Sequence, residues 1–544
     1  MSLRLPPILR RVVTRAAGFF HPDRRLVAAE FDRRHYLGLS PDVAAAGADP
    51  LHHFLTHGWR EGRDPNPNFS VRAYLNENPE VEKAGINPFV HYLRHGRREG
   101  RTPGHDLGFR YDIIARQQPV TDQLKESVKA TRAKPLAGPE RLAAGLARGR
   151  AGLASLHVTF SQDDYRANVG GVQLCLQIEA ARVAEQGRDH LHLFPAAHWP
   201  MMRASSDAGG EEGRLGVLLN GQDLGVHRSG DVARALAEAA GADGRHRTFA
   251  IHSLLGHAAD ETLTILEALG LRTGFLWLHD YSSLCAGYNL LRNGVEDCAA
   301  PPPDSAACGI CAYGPWRGRH LVAHEALFRR LELTVVSPAA VTLDFWRGGW
   351  DFPAAGHVVH PHARMVARAP APVPAADRPL RVAFLGYPVP HKGWPLFKRL
   401  AETYADDPRY AFFHLGAQQD TGAPAEFHEV RVAAGGPNAM QETLERLEID
   451  VVLLWPLWRE TFSFAVHEAL AAGCAVITGP DSGNVAAVVA SSGQGLVLPD
   501  DTSVEAAFES GETAKLSRAA RRPMLYDLTL SGMTADLLPA RAEA

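Results

Sequence analysis

The sequence predicts an α/β protein built from two doubly wound domains and preceded by a small α-helical repeat module. Three observations predict it. From Leu156 onward, short apolar runs end in polar loops that lead into helical spacing, the pattern of strands alternating with helices. A proline-rich stretch, Ala369 to Pro374, divides that alternation into two lobes. Ahead of both, residues 31–66 recur as residues 69–104.

Residues 1–26 form a basic segment in which Arg4, Arg10, Arg11 and Arg15 stand among Leu, Ile, Val and Phe. That composition suits weak peripheral contact with an anionic inner membrane, although a frayed basic terminus is the preferred reading. In residues 27–104, Tyr36, Leu37, Pro41, Gly47, His53, His57, Gly58 and Arg63 return as Tyr74, Leu75, Pro79, Gly85, His91, His95, Gly96 and Arg101. Each unit reads as a helix, a turn at the Pro and Gly positions, and a second helix stopped by His-Gly. His53 with His57, and His91 with His95, lie four apart on one helical face, a spacing open to a metal. No cysteine repeats beside them, and packing between the repeats is the expected role. Residues 105–152 read as a linker with one or two helices.

The first doubly wound domain spans residues 153–368. His157 to Phe160 reads as a strand, and a polar loop from Asp163 to Val169 leads to Gly170 and Gly171 at the start of a helix with Val172, Cys175, Leu176, Ala180 and Val183 at helical spacing. Paired glycines there let backbone approach a ligand, and a tight turn explains them equally. Phe249 to His252 and Gly274 to Tyr281 read as further strands, so His279 and Asp280 emerge at a carboxyl end on the same edge as the glycine loop. A hydrogen-bonded strand-end histidine without chemistry is the alternative for His279. Leu333 to Ser337 and Val358 to Pro361 complete the sheet.

Four of the six cysteines cluster in a lobe at residues 285–311, as Cys285, Cys298, Cys308 and Cys311. In a reducing compartment this spacing fits a tetrahedral structural zinc better than disulfides, with unbound thiols or a redox pair as alternatives. Cys175 and Cys474 read as small core residues.

The second doubly wound domain spans residues 378–510. Leu380 to Gly386 reads as a buried strand ending in glycine, followed by a loop carrying His391 and Lys392 into a helix. After the apolar run Val451 to Leu454, Arg459 and Glu460 lie in a loop and Glu468 in the next helix, with seven residues between the two acids. Both acids can face one cleft beyond the strand ends. Ser482, Gly483, Asn484 and Val485 follow the strand Ala475 to Thr478, where small residues let backbone amides approach a phosphate. A lysine and an amide nest suit a diphosphate, and two carboxylates suit vicinal hydroxyls. Residues 511–544 read as a helical tail.

The chain has 57 Lys and Arg against 61 Asp and Glu, a formal charge of -4, so no whole-chain field draws it to nucleic acid. No apolar run reaches a membrane span and the start lacks a cleavable signal pattern, so a cytoplasmic location is expected.

On Lys392, Glu460, Glu468 and the Asp481 to Asn484 loop, residues 378–510 resemble the donor-binding domain of retaining glycosyltransferases of the GT-B architecture, a family 4-like group that includes bacterial surface-polysaccharide enzymes. Residues 155–370 resemble it more weakly. The resemblance implies two Rossmann-like domains facing a cleft, a nucleotide diphosphate sugar as donor, and a glycan or lipid-linked glycan as acceptor. It implies that Glu468 binds the ribose, Glu460 the transferred hexose and Lys392 the diphosphate, with no catalytic metal. His279 and Asp280 would order the acceptor, and the tail would cross back to the first domain. The N-terminal repeats resemble modules that accompany such enzymes, which implies docking of a partner protein or self-association. One departure is that Tyr387 and Pro388, not an arginine, follow Gly386, leaving Arg459 or His391 to supply charge. A GT-B-like phosphorylase, a nucleotide-sugar epimerase, or a non-catalytic scaffold are the rival readings.

Overall fold

A computed structural model of the chain describes residues 21–101, 103, 109–168, 170–204, 207, 212–241, 246–309, 311–375, 378–431, 436 and 438–539. The membrane-contact expectation for the first twenty residues, and Val169 of the glycine loop, lie outside them. The described residues fall into two compact units, one of residues 1–120 with 292–318 and one of residues 121–291 with 319–544.

In the first unit, each repeat holds three short helices where the sequence suggests two. The first has Arg33–Gly38, Pro41–Ala45 and Pro50–His53, the last running on as a π-helical turn Phe54–Gly58. Proline starts the second and third helices because its missing N–H costs nothing at a first helical position. The second repeat copies this with Val71–Glu77, Pro79–Lys83, Pro88–His91 and the π-turn Tyr92–Gly96. Tyr36 Oη lies 2.8 Å from His53 Nδ1 and Tyr74 Oη 2.9 Å from His91 Nδ1. A Cβ at Gly58 would lie 2.0 Å from Tyr36 Oη, and one at Gly96 would lie 2.2 Å from Tyr74 Oη, so each glycine admits the tyrosine of its own repeat. These histidines therefore pack within a repeat, not between repeats. The cysteine-bearing segment belongs to this unit from residue 292 onward, where Val295 shares a small apolar cluster with Ile114.

The second unit contains both expected α/β domains. The first domain's strands are β1 (Leu156–Phe160), β2 (Asp189–Pro195), β3 (Arg214–Leu219), β4 (Gln222–Arg228), β5 (Thr248–Ile251), β6 (Thr273–Trp277), β9 (Glu332–Ser337) and β10 (Gly356–Val359); a two-residue ribbon, β7 (Leu291–Arg292) with β8 (Glu296–Asp297), intervenes in sequence. The sheet order is β10-β9-β6-β5-β1-β2-β3-β4, parallel throughout except where β3 pairs antiparallel with β2 and β4. Strands β2 to β4 are absent from the sequence reading. Their signal was Asn220-Gly221, which takes φ of +50° and +77° and closes the two-residue β3/β4 hairpin.

The second domain's strands are β12 (Leu380–Leu385), β13 (Tyr410–Gly416), β14 (Glu426–Glu429), β15 (Val451–Leu453), β16 (Ala475–Thr478) and β17 (Gly495–Val497). They form an all-parallel sheet in the order β14-β13-β12-β15-β16-β17. In chain order that is 3-2-1-4-5-6, so the connections leaving β12 and β15 part to opposite sides and open a crevice at their carboxyl ends. Strands β12, β15 and β16 are apolar and buried nearly throughout, as a sheet covered on both faces requires.

The tail is not all helical. β18 (Met524–Leu530) pairs antiparallel with β11 (Ala363–Pro370), and a 3-10 turn Met533–Leu537 returns to the first domain. There Thr534 N donates to Glu179 Oε2 at 2.7 Å and accepts on its hydroxyl from Trp277 Nε1 at 2.8 Å. A strand whose partner lies some 160 residues earlier has no local pattern to announce it. Among the described residues, no helix is long and apolar enough to cross a membrane.

Asp450 fastens the tail to the second domain. Buried at the foot of β15, it accepts from Arg378 Nη1 at 2.6 Å, Arg381 N at 3.0 Å and Arg518 N at 2.7 Å. Removing the carboxylate strands a largely buried guanidinium and two amides. Asp450→Ala is expected to destabilise the chain by about 3–5 kcal/mol, as breaking other buried pairs does. Chemical denaturation checks this, and a loss below about 1 kcal/mol would contradict a fastening role.

Candidate functional site

Three loops meet at the carboxyl ends of β12, β15 and β16. After β12 the chain turns at Gly386, whose φ of +95° favours glycine, and a Cβ there would lie 3.5 Å from Lys392 Nζ. Lys392 ends the short turn Pro390–Lys392 just before the helix Trp394–Thr403, so its ammonium reaches back over the strand end. Among the described residues it enters no ion pair. His391 stands beside it with its ring 6.1 Å from that of Trp458, and its carbonyl accepts from Leu457 N at 2.9 Å.

The loop after β15 carries Glu460, which forms a parallel bridge with Gly483 of the loop after β16. Glu460 N donates to Ser482 O at 3.2 Å, and Asn484 N donates to Glu460 O at 2.8 Å. Gly483 has a φ of +65°, and a Cβ there would strike Glu460 O at 2.6 Å, so only glycine fits this bridge. Ser482 is locked by Thr478 Oγ1 at 2.9 Å and by Gly479 O at 2.7 Å, while Asn484 Nδ2 donates to Phe462 O at 2.8 Å. The Asn484 amide, expected to face a phosphate, is thus spent on Glu460. Val485 N also donates, to Ser482 O at 3.4 Å, so among the described residues it is the Gly483 amide, just ahead of the helix Asn484–Ser492, that this nest leaves to a ligand. Arg459 lies 3.7 Å from Asp481 and its guanidinium sits over the Phe345 ring at 4.8 Å.

Burial pushes the Glu460 carboxyl above the ordinary range, opposed by the Lys392 charge and by the Trp458 indole N–H at 3.0 Å. The two acids differ in this. Glu468, in the helix Phe464–Ala471, is pushed up to about 7 by burial, and among the described residues no charge opposes the shift. Ser463 opens that helix at a φ of +65°, a backbone strain that the stacking of Phe462 on His467 at 4.1 Å helps hold.

The first domain contributes the opposite edge. Gly170 precedes the helix Gly171–Glu185, and a Cβ at Gly171 would lie 3.7 Å from the Phe464 ring, so the glycine loop reaches the start of the helix bearing Glu468. The His279 carbonyl accepts from Thr461 Oγ1 at 2.9 Å, tying the end of β6 to the Glu460 loop. Its ring Nε2 lies 2.9 Å from His252 Nδ1, and His252 Nε2 lies 3.0 Å from Glu179 Oε1, which also receives His157 Nε2 at 3.1 Å. Burial opposes ionisation of Glu179, but the facing His252 and His157 hold it well below the usual carboxylate range. Burial beside His362 and His252 drives His279 well below its ordinary value. Asp280 turns back on its own loop, accepting from Ser282 N at 2.8 Å, and burial raises it.

The structure thus draws Gly386, Lys392, Glu460, Ser482 and Gly483 around one crevice, with Gly171 and the His279 backbone on its other side. Cys285 belongs to the second unit and Cys298, Cys308 and Cys311 to the first. Among the described residues no disulfide joins any of the six cysteines; Arg317 Nη1 lies 2.9 Å from Cys308 Sγ, and burial pushes Cys298 up to about 11. The sequence reading did not single out Glu179, Trp458, Thr461 or His362. Glu179 had a legible signal, a carboxylate four residues after Cys175 on an otherwise apolar helix face.

No family model and no curated protein matches the chain. Among solved structures it is similar to Anabaena Alr3699/HepE in complex with UDP-glucose, at 11% identity and a TM-score of 0.38, covering 68% of this chain and 93% of that one. It is also similar to the pneumococcal O-GlcNAc transferase GtfA in complex with UDP and GlcNAc, at 10% identity and a TM-score of 0.40, covering 67% and 92%. A mutant of S. aureus TarM in complex with Fondaparinux, alpha-GlcNAc-glycerol and UDP gives 12% identity and a TM-score of 0.37, covering 58% of each. These are likenesses at low identity, and the chemistry of the site rests on its own residues.

Glu468 provides a pH signature. Its proton is held more tightly in the folded chain than in the unfolded one, so between the ordinary glutamate range and about pH 7 the folded state keeps a proton the unfolded state has lost. Through that window this group makes stability fall as pH rises. Glu468→Gln removes the slope and is expected to gain on the order of 1–3 kcal/mol over wild type between about pH 5 and about pH 8. Denaturant midpoints measure this, and parallel curves for the two proteins would contradict it.

Proposed function

We propose that the crevice of the second domain binds a nucleotide diphosphate sugar and that the chain is a glycosyltransferase, passing a hexose to a glycan or lipid-linked glycan acceptor with retention at the anomeric carbon. One observation carries the reading. A lysine ammonium, a glycine-hinged nest and a half-buried carboxylate converge at the switch point of a 3-2-1-4-5-6 sheet. The diphosphate fits between Lys392 and the Gly483 amide at the start of the helix Asn484–Ser492. Glu460 orients the hexose hydroxyls, and Glu468 takes the ribose diol as a charge-assisted acceptor. Its raised affinity for a proton means that diol binding and ionisation of Glu468 reinforce one another.

As the bond from the anomeric carbon to the diphosphate oxygen breaks, its electron pair stays on the diphosphate, the acceptor hydroxyl oxygen bonds to the same carbon, and the hydroxyl proton passes to the departing diphosphate oxygen. Lys392 and the nest stabilise that growing charge without a metal in this reading. The two glycines of the first domain and His279 border the acceptor side. Surface polysaccharide or glycoconjugate synthesis is the context that fits a glycan acceptor, and the helical repeats serve as a docking or self-association module. The reading needs no metal at Cys285, Cys298, Cys308 and Cys311.

A panel of UDP-, GDP- and dTDP-sugars, scored for nucleotide release with and without candidate glycans, tests it. At least one donor is expected to turn over. Lys392→Ala and Glu460→Ala should each slow that turnover by about 100- to 1,000-fold, the scale of losing one aimed electrostatic contact. Unchanged turnover in Lys392→Ala would overturn the assignment. Release of a sugar phosphate from a glycan by inorganic phosphate, with no nucleotide-sugar turnover, would instead mark a phosphorylase.

A further inference from the structure

Behind the crevice lies a second cluster that the transfer reaction does not use as a set. Cys175, His279 and His362 place one sulfur and two imidazole nitrogens within 4.8 Å of one another. They come from three elements: the helix Gly171–Glu185, the end of β6, and the residue just before β11. Cys175 is wholly buried and His362 is 3% exposed, and among the described residues His362 Nδ1 has no hydrogen-bond partner. Leaving such a nitrogen unpaired in the interior costs about 1–3 kcal/mol, which a bond to a ligand there would offset.

The hydrogen-bond chain beside it fixes the tautomer of His279. The Glu179 carboxylate receives His157 Nε2, His252 Nε2 and the Thr534 amide, and so acts as the acceptor for all three. His252 then carries its proton on Nε2, and in its neutral form offers a lone pair at Nδ1. Since His279 Nε2 lies 2.9 Å from that Nδ1, His279 must donate from Nε2, which leaves its Nδ1 as a lone pair. A carboxylate acting through histidine to set a ligand's tautomer is a usual outer-sphere arrangement around a metal.

We infer that Cys175, His279 and His362 form a binding site for a soft divalent ion of the zinc class, with His252 and Glu179 as positioning residues. Thiolate with two imidazoles is a donor set of that preference, and three protein donors leave a fourth coordination position to an exchangeable ligand. On binding, the Cys175 thiol releases its proton to solvent as the sulfur bonds to the ion; no electron is transferred. His362 packs against Phe462 and Phe464 at 4.8 and 5.8 Å, so the ion would stiffen the joint between the first domain and the Glu460 loop.

The test uses the full chain, stripped by a chelator and titrated with Co2+. A near-ultraviolet thiolate-to-cobalt band is expected that is lost in Cys175→Ala and in His362→Gln and kept in Cys308→Ala and Cys311→Ala. Thermal melts without metal show which variants fold. X-ray absorption of the wild type loaded with one equivalent of Zn2+ reads the site without any variant, and one sulfur with nitrogen or oxygen neighbours is expected. An all-sulfur shell, no bound metal, or a cobalt band untouched in folded Cys175→Ala or His362→Gln would overturn the inference. None of these readouts depends on sugar transfer.

Discussion

The site hangs on the backbone bridge between Glu460 and Gly483. Two hydrogen bonds, from Glu460 N to Ser482 O and from Asn484 N to Glu460 O, staple the loop after β15 to the loop after β16. That staple puts a carboxylate beside the start of a helix, where electrostatics alone would invite an anion instead of forbidding it. Gly483 makes the close approach possible, because any side chain would meet the Glu460 backbone. Once the bridge is set, Lys392 faces Glu460 from the β12 side, and Thr461 reaches the His279 carbonyl across the crevice.

Burial without neutralisation is the recurring cost of this arrangement. Glu460 has a partial counter-charge in Lys392, while Glu468 has none and holds its proton to about pH 7. Glu179 shows the opposite solution, a fully buried carboxylate kept ionised by two imidazoles and an amide. The contrast separates groups poised for a ligand from groups already satisfied by the protein. Glu179 also receives the returning tail through Thr534, so the same carboxylate joins the fold's last turn to the His252 and His279 pair.

The strands that position the site were legible because they are local and apolar. β12, β15 and β16 show as short buried runs, and the loops following them carry Lys392, Glu460 and Gly483 in plain view. What escaped was non-local. β18 pairs with a strand far earlier in the chain, and Tyr36 and Tyr74 enter gaps left by glycines more than twenty residues further on. Cys175, which reads as a small core residue, instead stands against two histidines remote in sequence. The amide of Asn484 looked available because a motif does not reveal which carbonyl a loop partner will present.

The central claim is that Lys392 and the Gly483 nest recognise a diphosphate. Calorimetric titration of nucleoside diphosphates and the matching monophosphates into wild type and Lys392→Ala measures it without relying on turnover. The account predicts that the favoured diphosphate binds more tightly than its monophosphate, and that Lys392→Ala weakens the diphosphate by about 10- to 100-fold while moving the monophosphate little. Equal diphosphate affinity in the two proteins would contradict it.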